Sequence, residues 1–241
     1  YKGGFGSLAT ELASRIEGEG GKILYNSQVV ELVMKDNKIE SAVLGDKTYV
    51  QGNKFLCTTP LPVLKTMLKV KHHENWLKSI SKIKYLGNIC LVLRLKKSLS
   101  YTYWLNVNDP GFPFVGVIEH TNFDSPENYG NTRIVYLSRY LTVTDPLWSD
   151  SDEDYLLYCL RHLKRMFPKF ERSWVVEYGV WKSEHAQPII TKNYSELRPD
   201  HKTPINNLWL ASMAQIYPED RGTNYAIRDG EKVAELILKE N

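Results

Sequence analysis

Between Leu208 and Lys239 the chain reads LWLASMAQIYPEDRGTNYAIRDGEKVAELILK: an apolar run, a polar loop and an amphipathic pattern, in that order. Leu208-Trp209-Leu210-Ala211 predicts a buried strand. The loop carries Pro218, Glu219, Asp220, Arg221 and Gly222. Beyond it Ile227, Ala234, Ile237 and Leu238 fall on or near one stripe at helical spacing. Thr223 or Asn224 can cap that helix, and Gly222 lets backbone approach a neighbour closely. The first amides of a helix lack an intrahelical acceptor and sit at the positive end of its dipole. A strand feeding such a terminus is a site for an anion or a dipole. The plain alternative is a C-terminal helix docked on a sheet.

Two further polar groups carry titratable side chains. Glu119-His120-Thr121-Asn122 follows an apolar strand, where polar residues have no packing reason to gather. They form either a turn with a surface histidine or a strand-end group facing a bound molecule. His185 and Gln187 stand in S-E-H-A-Q-P, a loop after a long strand, with Tyr194 and Glu196 beyond. A neutral imidazole, with a pKa of about 6.5, can shuttle a proton. His185, Gln187 and His120 are therefore the catalytic candidates. Aromatic residues crowd the middle of the chain, among them Tyr101, Tyr103, Trp104, Phe114 and Phe123. Tyr103 and Trp104 are adjacent, so on a strand they point to opposite faces and at most one lines a given cavity. Arg221 and Asp220 read as a salt bridge bracing their loop.

A chain of 241 residues, 42 % apolar and 24 % charged, has material for one large domain or two small ones. A formal charge of +3 is too small to imply a nucleic-acid partner. Cys57, Cys90 and Cys159 lie far apart without a Cys/His cluster, so reduced thiols are expected and a metal site is not. No apolar run reaches the length of a membrane span and no signal peptide opens the chain, which points to a cytoplasmic protein.

The elements that must position these residues are legible in outline. Leu8, Leu12 and Ile16 predict a helix capped by Ser7 and stopped by the glycines at 18, 20 and 21. Strands follow at Lys22–Asn26, Val29–Lys35, Ile39–Leu44, Thr48–Val50 and Lys54–Thr58, then a helix from Leu61 to Leu68 opened by Pro60 and Pro62. In the middle, Ile89–Leu95, Tyr101–Val107, Phe114–Ile118, Arg133–Tyr140 and Trp174–Trp181 predict strands. Leu156, Leu160, Leu163 and Phe167 predict a helix with an acidic start at Ser149–Asp154.

Several of these stretches together resemble the FAD-dependent amine oxidase and protoporphyrinogen oxidase superfamily. Arg221, Gly222, Asn224, Tyr225, Ala226, Ile227, Arg228 and Gly230 match its C-terminal signature R-G-x-N-Y-A-I-R-x-G. Gly3, Gly4, Leu8 and Leu12, then Gly20 or Gly21 with Ile23, Asn26 and Val29, then Thr58 or Thr59 with Pro60 match its earlier motifs. The resemblance implies an α+β (α/β) fold: a partial, Rossmann-like FAD-binding domain at 1–68 and 204–241, and a mixed, largely antiparallel substrate domain at 69–203. It implies flavin contacts from Val29, Thr58, Ser212, Met213, Gly222, Thr223, Asn224 and Tyr225. Candidate substrate contacts are Tyr103, Trp104, Tyr194, Gln215 and Arg221.

A Rossmann domain grips the FAD pyrophosphate with G-x-G-x-x-G at its first strand–helix turn. These 241 residues contain no such motif in the right setting. The expectation is the C-terminal portion of a longer flavoprotein that transfers hydride from a small molecule. On this reading the chain alone is inactive and holds FAD poorly or not at all. One rival is a flavin-dependent mutase resembling UDP-galactopyranose mutase, which needs arginines such as Arg133, Arg139, Arg198 and Arg221 to converge on a diphosphate. Another is a truncated, non-catalytic module that self-associates through an apolar patch at the cut.

Overall fold

The computed structural model describes residues 4–68 and 73–240. Gly3 of the opening motif and residues 69–72, where the second domain was expected to begin, lie outside them. Along the chain run α1 (Gly4–Gly18), β1 (Val29–Lys35), β2 (Lys38–Leu44), β3 (Tyr49–Gln51), β4 (Phe55–Cys57), α2 (Leu61–Met67) and α3 (Glu74–Ile80). They are followed by β5 (Tyr85–Leu95), β6 (Trp104–Asn106), β7 (Gly116–Glu119), β8 (Arg133–Leu141), α4 (Pro146–Ser149), α5 (Asp152–Met166) and β9 (Val175–Pro188). The last are α6 (Tyr194–Leu197), β10 (Leu208–Leu210) and α7 (Thr223–Lys239). Two units result: Tyr1–Lys78 with Pro199–Asn241, and Ser79–Arg198.

The first unit joins the two ends of the chain. Asp36 and Asn37 take positive φ (48° and 61°), which turns β1 tightly into β2, and β2 pairs β3 to complete an antiparallel sheet. Beside it β10 pairs β4 in parallel, Leu208 opposite Phe55 and Leu210 opposite Cys57. Pro60 and Pro62 open α2, whose Leu61, Leu64 and Met67 are buried at helical spacing. One side chain ties the two sheets together. Buried Asn207 accepts from the Ile39 amide at 2.7 Å and donates to the Ile39 carbonyl at 2.8 Å and the Asn53 carbonyl at 3.1 Å.

The second unit is one antiparallel sheet in the order β6-β7-β8-β5-β9, with α5 on one face. Period-two alternation places Ile89, Leu91, Leu93 and Leu95 of β5 and Val135 and Leu137 of β8 in the core, against Leu156, Cys159, Leu160 and Leu163 of α5. Ser151 caps α5, three acids fill its first turn, and Lys164 and Arg165 stand in its last, complementing the helix dipole at both ends. Gly87 leaves room for Trp148: a Cβ there would lie 2.7 Å from the indole.

Several sequence expectations need correction. Lys22–Asn26 is not a strand; Leu24 and Tyr25 are exposed and no described strand lies beside them. Ser7 lies inside α1 rather than at its cap. The residues named for the stripes of α1 and α7 stay about half or more exposed, Leu12 at 51 %, Ile16 at 48 %, Ile227 at 49 % and Leu238 at 74 %, while α7 buries Val233 instead. Strand β9 continues through His185 and Gln187 to Pro188, so those two residues are not in a loop. A bulge lets it continue, with Ser183 opposite Asn88 but Gln187 already opposite Leu86.

Replacing Asn207 by alanine should strip both partners from Ile39, itself only 2 % exposed. We expect a loss of about 2–3 kcal/mol, since unpaired buried amides cost about 1–3 kcal/mol each. Chemical denaturation of the variant checks this; a change below about 0.5 kcal/mol would show that the clamp is idle.

Candidate functional site

In the first unit, the expected flavin-facing residues gather where two parallel strands end. The carboxyl ends of β4 and β10 lie side by side, and the Ala211 amide extends the ladder to the Cys57 carbonyl at 3.0 Å. Thr58 follows one strand, and Ser212 and Met213 follow the other. Open α/β sheets bind ligands at such strand ends. Ser212 Oγ is shielded from solvent and has no hydrogen-bond partner among the described residues.

At the start of α7, Gly222 is the N-cap, extended at φ −164°, and no side chain caps the helix. This corrects the expectation that Thr223 or Asn224 caps it: both lie within the first turn. The amides of Tyr225 and Ala226 return to the Gly222 carbonyl. Those of Thr223 and Asn224 carry no hydrogen bond to the described residues, and both residues are exposed. Tyr225 is half-buried, its ring under the Arg228 guanidinium at 4.9 Å. Val29 opens β1, which packs against α2. Arg221 reaches Asp220 at 3.7 Å, the brace expected of it. Gln215 is committed elsewhere. Buried, it accepts from the Ser212 amide at 2.8 Å and donates to Pro199 and Leu210 carbonyls, shaping the loop instead of offering itself to a ligand.

The sheet of the second unit has a face that α5 does not cover. Cross-strand register lays Trp104, Ile118, Tyr136, Val92 and Gly179 in one row. Asn106, Gly116, Ser138, Cys90 and Trp181 form the next. Trp181 folds back across Gly179, where an added Cβ would fall 2.3 Å from the indole. The result is a mainly apolar floor interrupted by Asn106 and Ser138 and edged by two half-exposed tryptophans, Trp104 at 55 % and Trp181 at 60 %. Burial pushes the Cys90 thiol up to about 11, so it is a neutral part of this floor. Gln187 shares the face through its pairing with Leu86.

Tyr103 precedes β6, so the opposite-faces expectation fails: its ring meets Trp104 edge-on at 6.3 Å and Phe123 at 5.0 Å. Tyr194 is fully buried, its phenol pushed up to about 12 by that burial, and belongs to the interior. His185 meets Tyr85 edge-on at 5.6 Å on the edge strand, away from His120.

Three members of the 119–122 cluster turn out to be braces. Glu119, 1 % exposed, accepts from the Leu99 and Ser100 amides at 3.1 and 3.2 Å. Asn122 donates to the Ser100 and Thr102 carbonyls, and Thr121 accepts from the Ile134 amide. Glu119 Oε1 stays buried without a hydrogen-bond partner among the described residues, and His120 is the imidazole of the cluster. It is half-buried at the margin of the open face, its ring edge-on to Tyr136 at 6.2 Å and its Nε2 2.7 Å from Tyr129 Oη. Sequence reading missed Tyr136, Ser138 and Trp181 as floor residues, although the alternation along β5 and β8 that marks the core also marks its opposite face.

Fold and site together define an α+β chain with a small parallel strand pair, a final helix whose start no side chain caps, and a separate antiparallel sheet. The chain belongs to the flavin-containing amine oxidoreductase family, which it matches over residues 1–238. It is 23 % identical over 240 residues to a 15-cis-phytoene desaturase, chloroplastic/chromoplastic, from an Oncidium hybrid cultivar, covering 97 % of this chain and 41 % of that protein. Among solved structures it resembles a protoporphyrinogen oxidase-like protein from Exiguobacterium sp. 255-15, with TM-score 0.71, 12 % identity, and coverage of 96 % of this chain and 51 % of that one. It also resembles reduced UDP-galactopyranose mutase, with TM-score 0.60, 14 % identity, and coverage of 75 % and 38 %. The chain thus spans less than half the length of the curated relative. No helix among the described residues is long and apolar enough to cross a membrane.

The bracing role of Glu119 is testable. Glu119→Gln keeps an acceptor for both amides and should change stability by less than about 1 kcal/mol, whereas Glu119→Ala should cost about 2–3 kcal/mol. Equal denaturation midpoints for the two variants would argue against it.

Proposed function

We propose that this chain supplies the flavin-ring contacts and the substrate floor of an FAD-dependent oxidoreductase acting on a small molecule with a largely apolar body. The uncapped amides of Thr223 and Asn224 carry the reading, together with the solvent-shielded Ser212 hydroxyl at the carboxyl end of β10. Their donors suit the carbonyl and ring-nitrogen acceptors of a flavin, and the α7 dipole behind them favours negative charge there. Val29, Thr58, Met213, Gly222 and Tyr225 complete the residues we assign to flavin binding. FAD, when bound, supplies the hydride acceptor, while the protein supplies orientation and electrostatics. The open face of the second unit, with Tyr103 and Trp104 at one edge, supports the substrate.

A mutase reading is less well supported. Arg133 and Arg139 share the parity of Val135 and Leu137 on β8, which puts them on the α5-covered face. Arg139 also donates to the Phe112 carbonyl at 2.7 Å. Neither lies on the open floor where a diphosphate would need them.

Because no phosphate-gripping glycine turn occurs in these 241 residues, the chain should hold the flavin ring weakly and gain little from the diphosphate. Titration followed by flavin fluorescence should give riboflavin and FAD affinities within about tenfold of each other, a span of about 1.4 kcal/mol. FAD binding a hundredfold tighter than riboflavin would place the phosphate grip inside this chain, and binding of neither would sink the flavin reading. Thr223→Pro is the matching variant. Proline suits a first helical position and the extended Gly222 suits a residue before proline. The helix should persist while flavin affinity falls roughly tenfold with the lost amide.

The exposed apolar stripes of α1 and α7 support a second proposal, that this chain self-associates. Sedimentation velocity should show concentration-dependent association that Leu12→Glu weakens. A monomer at every concentration tested would refute it.

A further inference from the structure

The donors and acceptors around His120 settle which of its nitrogens is free. Tyr129 Oη lies 2.9 Å from Asp124 Oδ2 and 2.7 Å from His120 Nε2. A phenol has one proton, and an ionised carboxylate can only accept. The phenol must therefore donate to Asp124, and its oxygen then accepts from His120 Nε2–H. In the neutral ring that leaves His120 Nδ1 as the unprotonated nitrogen, and it has no hydrogen-bond partner among the described residues. Asp124 stays ionised because its hydrogen bond from Tyr129, supported by those from the Ser125 amide and Asn128, holds its carboxyl below the ordinary value. The order Asp124–Tyr129–His120 thus has a fixed direction.

We propose that Asp124 and Tyr129 are positioning residues that lock His120 in its Nε2–H form, so that Nδ1 serves as a proton acceptor at the margin of the open sheet face. This rests on taking that face as the substrate side. The step is a proton transfer: a substrate N–H, O–H or acidic C–H bond breaks, its electron pair stays on the substrate, and the proton forms a new bond to Nδ1. The imidazolium so formed is countered by the Asp124 carboxylate through Tyr129. The other ionisable group against the ring is Tyr136 of β8, a neutral phenol whose pKa burial raises.

Histidine nitrogen NMR on the 241-residue chain tests the lock without flavin. Wild type should show His120 protonated at Nε2, with that proton slow to exchange. Asp124→Ala frees the phenol proton to turn toward Nε2, so the Nδ1–H form should become populated. Tyr129→Phe removes the acceptor, and the Nε2–H signal should be lost to exchange, with the amide spectrum of β5 and β8 as the control for folding. A wild-type ring protonated at Nδ1, or the same tautomer in wild type and Asp124→Ala, overturns the proposal while leaving the flavin titrations standing.

Discussion

The first unit depends on one long-range closure. Strands β4 and β10 are three residues each and pair in parallel, an arrangement with little stability of its own. What fixes their register is the residue before β10. Asn207 bonds both polar groups of Ile39, 168 positions away along the chain, and the Asn53 carbonyl just before β4. Asn37 adds to this from the β1–β2 turn, donating to the Pro204 carbonyl and Asn206. The penalty for closing such a loop grows only slowly with its length, so a whole second unit can be inserted between the two ends. The start of α7 inherits its place from this closure. A slip of β10 by one residue would turn each of the buried side chains Leu208, Trp209 and Leu210 to the opposite face of the strand and shift the start of α7 with it.

Much of this architecture was legible where a pattern has only one way to be satisfied. Strand β5 alternates so strictly that its odd positions had to be core, and α5 shows an apolar stripe, an acidic start and a basic end. The failures have a shared cause. Periodicity reports that a segment is amphipathic, not what covers its apolar side. Leu12, Ile16, Ile227 and Leu238 fall on such stripes, yet each remains about half exposed or more. Lys22–Asn26 has strand-like residues but no described partner, and a strand is defined by its partner. Likewise the extension of β9 depends on β5 reaching back to Tyr85, with a bulge opposite Gly87, and neither is visible in S-E-H-A-Q-P itself.

Polar residues were harder to read than apolar ones, for a related reason. A buried polar group is nearly always bonded, so a polar cluster in sequence signals a demand for partners before it signals chemistry. Glu119, Thr121 and Asn122 meet that demand by fixing the backbone around Ser100 and Ile134. Gln215 spends its amide on the turn after β10, and Tyr194 is enclosed altogether. Subtracting these commitments is more informative than counting candidates. Among the described residues, what survives includes the Ser212 hydroxyl, one oxygen of Glu119, the first amides of α7 and one nitrogen of His120.

The survivors differ in kind, and the difference bears on what they can do. The α7 terminus offers only donors, fixed in direction by the helix and backed by its dipole, so it can favour added electron density but cannot take up a proton. His120 offers an acceptor, and that polarity comes from two residues further along the chain, not from the imidazole. Asp124 orients one phenol proton, and the phenol then orients the ring. Either role fails if the direction of a single hydrogen bond is reversed, although no atom need move. A sequence shows which groups are present; the direction in which their protons point is settled only when the partners are in place.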